Sequence, residues 1–173
     1  TLHQKMNEQT SYHGNPNLKP LAYQHDFSEE EIKEYVKCKE DPVYFIEKYA
    51  KIISLDKGLV AFNLYPYQKK MFKQFESNRF NVVLACRQSG KSISACGYLL
   101  WFALFQPEKT IAVLANKGAT AREMLARITI MLENIPFFLQ PGVKALNKSN
   151  IDFSNNSRII AAAVSYTHLR AHE

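Results

Sequence analysis

The chain has 173 residues, 46% hydrophobic and 12% aromatic, which supplies one buried core and excludes wholesale disorder, a collagen-like repeat and a coiled coil. Lys and Arg number 22 against 16 Asp and Glu, a net charge of +6. That excess is compatible with a polyanionic partner and does not require one.

Residues 1–27 are polar, carry Gly14-Asn15-Pro16-Asn17 and Pro20, and read as a loose, flexible arm. Ser28-Glu29-Glu30-Glu31 is a capping-box pattern, so a short helix is expected to about Lys39. Asp41-Pro42 is a second start signal, with Asp41 as N-cap and Pro42 at the first helical position. Phe45, Ile46, Tyr49, Ile52 and Ile53 follow at helical spacing as one apolar stripe, and Ser54–Gly58 breaks it. Tyr65-Pro66-Tyr67-Gln68 opens a third helix. Tyr67, Met71 and Phe75 lie four apart on one face, with Lys69, Lys70 and Lys73 elsewhere, most simply as a solvated face and alternatively as a DNA contact.

The organisation then changes. Asn81-Val82-Val83-Leu84-Ala85 reads as a buried parallel strand. It feeds Cys86-Arg87-Gln88-Ser89-Gly90-Lys91-Ser92 and an apolar helix from about Lys91 to Phe105, stopped by Gln106-Pro107. The apolar run Ile93–Phe105 is too short to span a bilayer, which takes about 20 residues. Thr110–Ala115 is a second buried strand. Thr120-Ala121-Arg122-Glu123 is another capping-box pattern, opening a helix to about Asn134 with Ala121, Leu125, Ile128 and Leu132 on one face. Asn150–Phe153 and Arg158–Ala162, around Ser154-Asn155-Asn156-Ser157, read as a hairpin with a four-residue loop. Alternation of strand and helix predicts an α/β fold with right-handed crossovers and a parallel sheet.

The last ten residues, Val164–Glu173, read as a translated sequencing adapter. They are set aside from fold reasoning as an artefactual tail, and the natural protein is expected to continue beyond them. Cys38, Cys86 and Cys96 are odd in number and lack metal or CxxC spacing. They suggest a reducing compartment and thiols packed as small hydrophobes. The histidines show no metal-binding pattern.

Gly90-Lys91-Ser92 sits where a strand turns into a helix. Free N–H groups and the helix dipole favour an anion there. Gly90 permits a backbone path close to phosphate, Lys91 can reach the β- and γ-phosphates, and the Ser92 hydroxyl can ligate Mg²⁺. The full phosphate-loop pattern wants glycine at position 85, where this chain has Ala85. Arg87 could stabilise charge on a transferred phosphoryl group, or be a surface arginine on a turn. The Gln68 amide can pair with the edge of adenine while Tyr67 stacks on its ring.

In order, Asp41–Ile46, Val60–Phe62, Leu64–Gln68, Cys86–Ser92, Leu114–Gly118 and Phe138–Gly142 resemble the ATPase half of large terminase subunits from tailed, T4-like bacteriophages, over most of residues 28–163. The resemblance implies a P-loop NTPase core of the ASCE, recA-like kind, here with an incomplete parallel sheet. It implies adenine reading by Gln68 with Tyr67 and a phosphate loop of Gln88, Ser89, Gly90, Lys91 and Ser92. Arg87 and Lys91 become the catalytic pair, with Arg87 a cis arginine finger, and ATP with Mg²⁺ held through Ser92 are the implied cofactors. Phosphate loops of this family commonly lack the first glycine, so Ala85 fits. Asn116-Lys117-Gly118 matches a family motif coupling nucleotide state to motion, or is a plain strand-to-helix connection.

The organisation implied is an arm over 1–27, a helical region carrying the adenine-side motif over 28–79, a partial ATPase core over 80–163 and the tail over 164–173. The partners implied are double-stranded viral DNA, a portal protein, a small terminase subunit and further copies in a ring on the prohead, in the host cytoplasm and not on a membrane. No Asp-Glu strand follows Arg158, and Asp152 is no substitute. Weak or absent ATPase activity and poor solubility are therefore expected of this chain by itself. A superfamily-two helicase or another P-loop translocase, and a non-enzymatic nucleotide- or DNA-binding module, are the alternative readings.

Overall fold

Side-chain caps fix where the first helices start. Ser28 Oγ accepts from the Glu31 N–H at 3.2 Å while Glu31 Oε2 accepts from the Ser28 N–H at 3.0 Å, and helix α1 runs Glu29–Glu40. Asp41 Oδ1 accepts from the N–H groups of Val43 and Tyr44, with Pro42 opening α2, Pro42–Tyr49. The computed structural model describes residues 12–164 apart from residues 24 and 55. Of the expected tail, 164–173, only Val164 is among them.

The described residues are mixed α/β with two sheets. After α2 come strands β1 (Lys51–Ser54) and β2 (Gly58–Ala61), helices α3 (Pro66–Ser77) and α4 (Lys91–Phe105), β3 (Thr110–Ala115), α5 (Gly118–Glu133), β4 (Val143–Leu146), β5 (Asn150–Phe153) and β6 (Arg158–Ala163). β1 and β2 form an antiparallel ribbon, and the larger sheet has the order β3-β6-β5-β4. Only β3 and β6 pair in parallel, in the register Ile111↔Ile159 and Val113↔Ala161. β5 pairs with β6 antiparallel, Ile151↔Ile159, which is the hairpin the sequence predicts.

Several expectations are corrected. Ile52 and Ile53 do not extend α2; they lie on β1 opposite Val60 and Leu59. Two adjacent β-branched residues fit a pleated strand, and their helical spacing from Tyr49 is coincidental. α5 starts at Gly118, before Thr120, and the Thr120 N–H bonds the Lys117 carbonyl, so the second capping box does not form. The buried face of α3 is Gln68 and Phe72; Tyr67 of the expected stripe is exposed. Cys86 is exposed, unlike Cys38 and Cys96.

Segment 81–86 is not a strand, and Val82 and Leu84 are 98% and 100% exposed. A strand exists only through a partner's hydrogen bonds, and no described strand pairs with this segment.

The core lies between α4, α2 and α1 on one side and α5 with the larger sheet on the other. Phe45 and Phe105 meet edge to face at 5.3 Å, and Trp101 Nε1 donates to the Cys38 carbonyl at 2.8 Å. Each such buried ring contributes roughly 1.5–3 kcal/mol. The turn between β5 and β6 reaches back to cap α4, since Asn155 Nδ2 donates to the carbonyls of Ala103 and Leu104, which an α-helix leaves without intrahelical donors.

The polar start of the chain is tied down over residues 12–23, where a loose arm was expected. Leu18 is fully buried. The buried Gln140 amide accepts from the Lys19 N–H and donates to the carbonyls of Asn17, Leu132 and Ile135. It thereby closes the end of α5 and fastens the N-terminal segment in one step.

Candidate phosphate-binding site

The loop Cys86–Gly90 enters α4 through an unusual backbone. φ is +61° at Gln88 and +74° at Gly90, the left-handed region, which costs a non-glycine residue such as Gln88 roughly 1–2 kcal/mol. Gly90 is the N-cap of α4. The first helical bond is the Ser94 N–H to the Gly90 carbonyl at 3.0 Å. Arg87 and Gln88 form a turn that directs the Ser89 N–H at the Cys86 carbonyl, and among the described residues no backbone carbonyl takes the N–H groups of Gln88, Gly90, Lys91 or Ser92. Unspent amides around a helix start, with the dipole behind them, form a cradle of the kind that favours an anion.

The loop is braced from within. The Cys86 carbonyl accepts from Lys91 Nζ at 3.1 Å and from Ser89 Oγ at 2.9 Å. It is braced also from α3. The Tyr67 hydroxyl donates to the Ser89 carbonyl, and Gln68 Nε2 lies 3.5 Å from the Gly90 carbonyl while Gln68 Oε1 accepts from the Tyr65 N–H at 2.8 Å. Gln68 is 2% exposed, so its amide is spent on backbone. The Tyr67 ring stacks on Tyr65 with centroids 5.7 Å apart.

A cavity of about 690 Å³ opens over the loop, lined by Gln88–Ile93, by Lys51–Ile53 of β1 and by Arg127, Ile130 and Met131 of α5. Gln88, Ser89, Gly90, Lys91 and Ser92 all lie in this lining. Arg87 is exposed and outside the lining; the exposed Tyr67 and the buried Gln68 also lie outside it. Lys51 and Arg127 line the cavity and were missed. Nothing in the α5 pattern separates Arg127 from other polar positions, and the helical reading of Ile52 and Ile53 moved Lys51 off the ribbon. The lining is cationic: it includes Lys51, Lys91 and Arg127 and no Asp or Glu.

Other candidate groups are engaged elsewhere. Asn116-Lys117-Gly118 forms the connection from β3 to α5. Asp152 faces Arg158 across the hairpin, with 3.5 Å between carboxylate and guanidinium. Lys69 pairs with Glu47 at 2.8 Å. No helix among the described residues is long and apolar enough to cross a membrane.

A family model described as "Terminase large subunit, T4likevirus-type, N-terminal" matches residues 82–173. The match begins in the exposed segment before the loop, takes in the whole amide cradle and Arg127, and leaves Tyr67 and Gln68 outside. It covers more than half of the chain, which therefore belongs to the large terminase subunits of the T4-like virus type, in their N-terminal part.

Proposed function

We propose that the chain binds ATP at the Gln88–Ser92 cradle as part of the motor that hydrolyses ATP to drive double-stranded viral DNA into proheads. The observation that carries this reading is the set of unspent amides around the start of α4, beside a cavity lined, among the described residues, by cations and no carboxylate. A polyphosphate supplies the acceptors those donors lack and the charge the cavity needs. Gly90 leaves room for close approach, and Lys91 need only give up the Cys86 carbonyl to neutralise a phosphate oxygen. Ser92, exposed at the first turn, would offer its hydroxyl to Mg²⁺ carried with the nucleotide, an ion that polarises the phosphoryl group when bound. Arg87, exposed on the loop, is free to meet charge developing on the transferred group. A portal protein, a small terminase subunit, a ring of copies and the host cytoplasm belong to this reading through the family alone.

The test is a titration with a fluorescent ATP analogue. Lys91→Ala should weaken binding at least tenfold, about 1.4 kcal/mol, and unchanged affinity would overturn the nucleotide reading in favour of a module of another kind. Hydrolysis needs a carboxylate to orient the attacking water, and none lines the cavity. Phosphate release by the chain alone should therefore stay near background. Brisk turnover abolished by Lys91→Ala would show that another group supplies the base.

A further inference from the structure

Three cations, Lys51, Lys91 and Arg127, share one cavity wall-to-wall, each from a different element, with no carboxylate among the lining residues. Like charges around one partly enclosed space repel unless an anion separates them. Lys91 belongs to the loop. Arg127 comes from α5, and its Nη2 is held by Glu123 Oε1 at 2.5 Å, one helical turn back and outside the lining. Glu123 is well exposed and Arg127 partly so. Such a solvated pair on one helix face is a weak tether. A guanidinium gains more from two parallel bonds to phosphate than from a solvated carboxylate.

We propose that Arg127 is a further nucleotide-binding residue, which exchanges Glu123 for a phosphate oxygen when the cavity fills. The inference rests on the nucleotide reading above and adds a second contact, from α5, to the one made by the loop. Glu123 then holds the side chain in reserve and competes with the ligand. Lys51, without an ion-pair partner among the described residues, adds to the potential from the ribbon side. Closing the phosphate chain between α4 and α5 also ties the nucleotide to the helix that follows β3.

The experiment is equilibrium titration of the whole chain with a fluorescent ATP analogue. Four variants are compared: Arg127→Gln, Arg127→Lys, Glu123→Gln and Lys91→Ala. Arg127→Gln should weaken binding about tenfold, as expected for a lost charge-assisted bond, and Arg127→Lys should recover part of it. Glu123→Gln should tighten binding several-fold, because the competing carboxylate is gone. A pair that merely braces α5 would make both changes act in the same direction, and that result overturns the proposal. Unchanged affinity in Arg127→Gln with weakened binding in Lys91→Ala also overturns it and leaves the nucleotide site standing. If neither variant changes affinity, the nucleotide reading falls and this inference with it. Loss of a surface pair leaves the fold intact, and thermal melting of both pair variants close to that of the unmodified chain checks this.

Discussion

A methyl group at position 90 would stand 2.7 Å from Gln68 Nε2, and φ there is +74°. Glycine is therefore needed twice, for the left-handed turn and for the close approach of a buried amide. The second demand ties the loop to Gln68, the residue the family resemblance assigns to adenine. Its oxygen is held by the Tyr65 N–H and its nitrogen points to the Gly90 carbonyl, so both ends are already turned toward backbone. Gln68→Ala should then disturb the loop and not the choice of base. ATP and GTP should weaken by the same factor in competition titrations, with a loss of about 1–3 kcal/mol of folding stability from the lost buried bonds. A loss confined to ATP would restore direct adenine reading. The sequence motif assigns Gln68 to adenine, while the structure sets its side chain beside the Gly90 carbonyl. It could not reveal this contact, because a glutamine facing solvent and one facing a carbonyl have the same spacing from Gly90.

Between elements, the joint of α1 with α2 is polar and pH-sensitive. The Glu34 carboxylate accepts from Lys48 Nζ at 2.7 Å and from the hydroxyls of Tyr49 and Tyr44 at 2.9 Å. The Lys48 hydrogen bond, helped by the two tyrosines and opposed by partial burial, holds the Glu34 carboxyl down from 4.5 to about 2. Burial first, and the nearby Glu34 charge second, push the Cys38 thiol up to about 12. A depressed carboxyl stabilises the fold where it is ionised in both states, above its unfolded value. That contribution is lost as pH falls from about 4.5 toward about 2. Urea midpoints at about pH 3 and about pH 6 should differ more for the unmodified chain than for Glu34→Gln, which has no charge to titrate. An equal pH response in both would show that the joint carries no such linkage. Of the elements themselves, those set by local chemistry were legible: the Ser28 and Asp41 caps, the apolar helix after Gly90 and the turn of four small polar residues before Arg158. Those set by distant partners were not. The ribbon of β1 with β2 depends on pairing across a turn, and the docking of residues 12–23 depends on Gln140, whose motif carried no hint that it satisfies three carbonyls.

At the scale of the whole molecule, one apolar stretch lies outside the packing that the rest achieves. Phe80, Val82 and Leu84 are 83%, 98% and 100% exposed, and Leu114 of β3 is 60% exposed. The stretch precedes the loop directly, so the cradle hangs between a well-anchored helix on one side and an unpaired segment on the other. The sequence reading of a buried strand here was a statement about composition: Val82, Val83 and Leu84 have the side chains of one, and only pairing is missing. An apolar segment that pairs with no described strand invites strand addition from another chain. The molecule should consequently self-associate as its concentration rises, despite a net charge of +6 that opposes it. Val82→Lys with Leu84→Lys tests this. Neither side chain is covered by the fold, so the double variant should melt within about 2 °C of the unmodified chain while light scattering and elution volume shift toward monomer. A fall in melting temperature of more than about 5 °C would mean instead that this segment packs as a strand in solution, and the loop would then be anchored on both sides.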